Sequence, residues 1–98
     1  MQFIIKAYDG PHMLEKRLAV RPRHLAGMER LKDHIIVAGG LLDEEGRMKG
    51  SALVMEFDSR TDLDDYLNNE PYVLEGVWKK IEVETMNVVL LNGEKYQK

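Results

Sequence analysis

His24 stands two residues behind Pro22, with Arg21 and Arg23 on either side of the proline. A proline suits the first position of a helix, because its ring fixes φ and its missing N–H would be an orphan donor there in any case. The spacing therefore predicts a helix that opens at Pro22 and carries His24 in its first turn. Unpaired N–H groups and the positive end of the helix dipole disfavour a second positive charge at that point, which suits the ring to accept a proton. On this reading His24 is a general base or acid. It also shares a helical face with Met28 and Leu31, at i+4 and i+7, so a half-buried packing histidine is the competing role.

A histidine base works best when a carboxylate fixes its tautomer and steadies the imidazolium that forms. Glu70 is one candidate, because Pro71 pushes it into an extended conformation at the start of a new helical turn, where backbone N–H groups favour negative charge. Its alternative role is that of a helix-start residue. Asp33 is a second candidate, but it lies about two and a half turns beyond His24 along one helix and cannot touch it within a subunit. Arg21 and Arg23 are suited to holding an anionic substrate through paired hydrogen bonds. Tyr72 can line a pocket, donate from its hydroxyl, or simply pack.

Other chemistries find no pattern. His12, His24 and His34 are not spaced as metal ligands on one helix, and the chain has no cysteine, so no metal site and no disulfide are expected. Gly39-Gly40 lacks the glycine spacing of a dinucleotide loop, and no cofactor is implied. A net charge of −3 with both signs interspersed argues against nucleic acid or an anionic membrane as a partner. The opening residues do not resemble a signal peptide, and a cytoplasmic protein is expected.

The elements that must place these side chains can be read along the 98 residues, which make one domain. Gln2 to Tyr8 alternates as a strand, and a short helical segment over 12–19 precedes the main helix from Pro22 to about Asp33. Ile35 to Leu42 reads as a second strand and Lys49 to Asp58 as a third, joined by the turn Asp43-Glu44-Glu45-Gly46. Ser59 caps a second helix whose buried stripe is Leu63, Tyr66 and Leu67. Pro71 starts a further turn that ends near Gly76, and a last strand runs from about Lys79 to Leu91, leaving Glu94 to Lys98 as a loosely held tail. The order βαββαβ is the ferredoxin-like α+β pattern, with a four-stranded antiparallel sheet. Two helices cover one face of such a sheet. The apolar residues on both sides of the third and last strands then call for a second copy against the open face, a homodimer.

The segments Glu15-Lys16-Arg17-Leu18, Val20-Arg21-Pro22, His24-Leu25-Ala26 and Glu70-Pro71-Tyr72-Val73 resemble the YciI-related family of small ferredoxin-like proteins. The resemblance spans almost the whole chain and implies a dimeric α/β-barrel and a site built around a histidine and an aspartate. This sequence has Glu-Pro where that pattern has Asp-Pro, and the extra methylene moves the carboxylate by about 1.5 Å. Arg21 matches the motif, whereas Arg23 falls on its variable position. The sequence thus describes a cofactor-independent enzyme with His24 and Glu70 as catalytic pair and Arg21 and Tyr72 binding a small ligand. Elimination, isomerisation or hydrolysis are the reactions in reach. The alternative is a dimeric ligand-binding or accessory module without catalysis.

Overall fold

The computed structural model describes residues 1–97. Four strands form one antiparallel sheet: β1 (Gln2–Asp9), β2 (Ile35–Leu42), β3 (Met48–Glu56) and β4 (Trp78–Met86), in the spatial order β2-β3-β1-β4. Helices α1 (Leu14–Arg30) and α2 (Arg60–Asn69) supply the two crossovers, and the single turn α3 (Pro71–Leu74) leads into β4. This is the ferredoxin-like α+β fold.

Strand alternation decides which side chains meet the helices. Phe3, Ile5 and Ala7 of β1 and Leu53 and Met55 of β3 are buried beneath Val20 and Met28 of α1 and Leu63 and Leu67 of α2. Gly50 allows β1 and β3 to close up, since a Cβ there would collide with the carbonyl oxygen of Ala7. Ile4, Lys6, Ala52 and Val54 occupy the opposite face, where Ile4 pairs with Val54 and Glu84, and Lys6 with Ala52 and Glu82.

The first helix and the last strand depart from what local sequence signals predict. The segment 12–19 and the helix after Pro22 form one helix, and Pro22 lies inside it. Proline costs that helix the bond to the Leu18 carbonyl. Leu18 and Pro22 are on the exposed side, where water can take the missing donor's place, while Arg17, Val20, His24 and Met28 hold the opposite face against the sheet. His24 is consequently in mid-helix, and the dipole argument does not apply to it.

The last strand also stops early. Met86 pairs with Gln2, the first residue of β1, so β1 offers no partner beyond it. The apolar run that follows turns back instead: Leu90–Leu91 (β5) pairs with Glu94–Lys95 (β6) across Asn92 and Gly93, both at positive φ. The expected loose tail is thus paired over 94–95, and the Tyr96 N–H donates to the Val89 carbonyl at 2.9 Å; Lys98 lies outside the described residues. No helix among the described residues is long and apolar enough to cross a membrane.

Candidate active site

Glu70 ends α2 and caps α3 in an extended conformation (φ −68°, ψ 126°), the geometry its following proline imposes. That sharp junction drives the carboxylate inward, and the residue is only 2% exposed. Three donors meet it. His24 Nδ1 lies 2.7 Å from Oε1, the Tyr66 hydroxyl donates to Oε2 at 2.5 Å, and the Tyr72 N–H donates to Oε1 at 3.3 Å. An ionised carboxylate only accepts, so opposite it Nδ1 carries a proton, and in the neutral ring Nε2 is then the acceptor nitrogen. Burial, and then the neighbouring Glu70 charge, push the Tyr66 hydroxyl far above its ordinary value, which keeps it a donor.

Tyr72 organises the other side of the ring. Its phenol stacks on His24 with centroids 4.2 Å apart and planes at 22°, and the Arg17 guanidinium lies 4.7 Å from the same ring centre. Arg17 and His24 are two turns apart on α1, about 10 Å along the axis, so the ring is wedged between them. Trp78 meets the imidazole edge-on at 5.9 Å. Burial raises the Tyr72 hydroxyl above its ordinary range, with the charges of Arg17 and Arg21 opposing.

Arg17 is itself buried. One of its terminal nitrogens pairs with Asp9 Oδ1 at 2.8 Å and the other donates to Ser51 Oγ at 2.6 Å. Burial holds the Asp9 carboxyl above its usual range, against the opposing charge and hydrogen bond of Arg17. Asp9 Oδ2, Arg17 Nε and Trp78 Nε1 are buried without a hydrogen-bond partner among the described residues.

Part of this cluster lines a cavity of about 210 Å³ between α1 and the sheet. Arg17, Arg21, His24, Ser51 and Tyr72 provide its polar wall, and Met28, Met48 and Leu53 are among its apolar lining. Arg21 forms no ion pair among the described residues and is exposed at this cavity, whereas Arg23 points away and lies 3.5 Å from Glu75 at the surface. Ser51 accepts from Arg17, which cannot accept in return, so the serine's own proton is available to a ligand oxygen.

Of the six residues weighed in the sequence, four come together: His24, Glu70 and Tyr72 in mutual contact and Arg21 on the cavity wall. Asp33 is exposed in a short 3₁₀ turn, Lys32–His34, and takes no part. Arg17, Ser51, Asp9 and Tyr66 were missed. Arg17 lies at i−7 from His24 and Tyr66 at i−4 from Glu70, which are same-face spacings on a helix. Among the described residues no group of three or more His, Asp or Glu side chains gathers as a metal site.

A ferredoxin-like domain with a buried imidazole–carboxylate contact at the wall of a small cavity is the class these observations define. The YCII-related domain matches residues 1–87, and the chain belongs to that family. It is 34% identical over 97 residues to a protein of Haemophilus influenzae and 32% identical over 97 residues to Protein YciI of Escherichia coli, each time covering 91% of this chain and 99% of the relative. Among solved structures it resembles 5-chloro-2-hydroxyhydroquinone dehydrochlorinase from Burkholderia phenoliruptrix in complex with 2,5-dihydroxybenzoquinone. The TM-score is 0.83 and the identity 32%, over 89% of this chain and 94% of that one. Rv0793 of Mycobacterium tuberculosis shares the fold alone, at a TM-score of 0.51 and 17% identity.

Proposed function

We propose that the chain is an enzyme that moves protons on a small hydroxylated ring and thereby eliminates a leaving group, with His24 as the proton carrier and Glu70 as the acid that orients it. The observation that carries this reading is the 2.7 Å contact between His24 Nδ1 and Glu70 Oε1, buried on a residue that lines the cavity. A base fixed in one tautomer by a buried carboxylate is poised to use its other nitrogen. The similarity to a dehydrochlorinase with a quinone bound supports the substrate class.

An aromatic carbon does not release a halide directly. On a halogenated hydroquinone, moving one hydroxyl proton to the halogen-bearing carbon makes that carbon tetrahedral. Removing the proton of the para hydroxyl then closes the quinone and expels the halide with its bonding pair. The net change is loss of HX, and no oxidant is consumed. One group that gives and takes a proton serves both steps. Glu70 lends stability to the imidazolium that forms each time His24 takes a hydroxyl proton, first before the imidazole passes it to carbon and again as the halide leaves. Arg21 is the unpaired cation for a phenolate oxygen, and Ser51 the donor for a second oxygen of the ring. Tyr72 provides the wall on which the imidazole is stacked.

The test is halide release from chlorinated hydroquinones and hydroxyhydroquinones in the absence of oxygen. One halide and one proton per quinone formed is the expected outcome. Binding of these rings with no halide released would instead mark a ligand-binding module.

A homodimer through the open sheet face is part of the same proposal. Ile4, Ala52 and Val54 give that face an apolar half, and Lys6, Lys80, Glu82 and Glu84 a half in which both charges alternate, so a two-fold copy can match like with like. Sedimentation should give twice the 11.3 kDa chain mass, and Val54→Asp should give monomers that remain folded. A parent that stays monomeric at the same concentration contradicts it.

A further inference from the structure

We infer that Tyr66 is a positioning residue that fixes the Glu70 carboxylate for His24, an inference that rests on the proposed pairing of those two side chains. A glutamate has one more rotatable bond than an aspartate, so a carboxylate held only at Oε1 would retain freedom to swing about that contact. The Tyr66 hydroxyl removes this freedom by taking Oε2 at 2.5 Å, at the far end of the group that meets Nδ1 through Oε1. Both tethers join buried side chains, which limits competition from solvent for either oxygen. The tyrosine is well placed for the task because it sits one turn before Glu70 on α2, with its ring packed among Phe57 and Met28. It is not part of the cavity lining, and its hydroxyl meets Glu70 and Met28, so its influence on the reaction passes through Glu70.

The arrangement also accounts for how this chain works with the longer acid. A shorter carboxylate anchored at the same backbone position would not span both the imidazole and the phenol, whereas glutamate reaches both. Tyr66 and the length of residue 70 are therefore expected to be coupled.

The experiment compares Tyr66→Phe, Glu70→Asp and the double variant with the parent, using the downfield Nδ1 proton resonance of His24 and the kinetics of halide release. Tyr66→Phe keeps the packed ring and deletes one hydroxyl, so it is expected to fold. It should broaden away or shift upfield the Nδ1 proton and lower kcat by between about tenfold and a hundredfold with KM nearly unchanged. In the Glu70→Asp background, where the tether is already lost, the same change should alter kcat by less than about threefold. An unchanged Nδ1 resonance in Tyr66→Phe, or an equal loss in both backgrounds, overturns the inference. If the parent releases no halide, the resonance alone decides: its loss in Tyr66→Phe upholds the positioning role while the proposed reaction fails.

Discussion

Glu70→Ala should destabilise the fold as severely as truncating a large core side chain. It removes the acceptor from three buried donors at once, His24 Nδ1, the Tyr66 hydroxyl and the Tyr72 N–H, at a site that water does not reach. Breaking a buried charged contact of this kind costs about 3–5 kcal/mol. In a chain of this size such a loss lowers the melting temperature by roughly 12–40 °C. Glu70→Gln preserves the shape and one acceptor, and should cost only about 1–2 kcal/mol while still lowering turnover, because the neutral amide no longer balances the imidazolium. Thermal melts of both variants beside the parent check this. Equal and small losses would mean that the carboxylate is not the acceptor described.

His24→Asn should have the opposite profile. The imidazole stacks on Tyr72 and sits between Val20 and Met28 on the buried face of α1, so its loss is felt in packing, at about 1–2 kcal/mol. Glu70 keeps the Tyr66 hydroxyl and the Tyr72 N–H as donors and is not stranded. Halide release, in contrast, should fall by about 10²- to 10⁴-fold, the usual contribution of a positioned proton carrier. A variant that melts many degrees lower yet retains turnover would make His24 a packing residue.

The element order was legible because hydrophobic alternation in β1 and β3 and the Ser59 cap, whose hydroxyl accepts from the Asp62 N–H at 3.1 Å, are local signals. Glu70 could be placed for the same reason, since Pro71 dictates the extended backbone that turns its side chain inward. Pro22 misled in the opposite way. Its local preference for a helix start was overridden by the stripe Arg17, Val20, His24 and Met28, which gains more by burial along one continuous helix than a single lost hydrogen bond costs. The route to His24 as a base changed accordingly, from the field of a helix end to the contact with a carboxylate 46 residues away. That partner was legible through Pro71, whereas long-range partners without such a local signal leave no mark in a single sequence. Arg17 shows this most clearly, because a cation at a helical position reads as solvated until Asp9 and Ser51 are brought to it by β1 and β3.

The extent of the last strand was illegible for a related reason. The apolar run 88–91 reads as a continuation of β4, yet strand pairing needs a neighbour, and β1 begins at Gln2. The turn residues Asn92-Gly93 carried the competing signal, and with both at positive φ they close the small hairpin β5–β6.

In the proposed reaction a ring substrate meets His24 at Nε2 while Glu70 holds Nδ1. Titrating 2,5-dihydroxybenzoquinone into protein labelled with ¹⁵N in its histidines tests it most directly, with His24→Asn used to assign the signal among the three histidines of the chain. The ligand is expected to move the His24 Nε2 resonance strongly while the proton on Nδ1 stays in place. A ligand that binds and leaves both His24 nitrogens where they were, or perturbs only His12 or His34, would contradict the account.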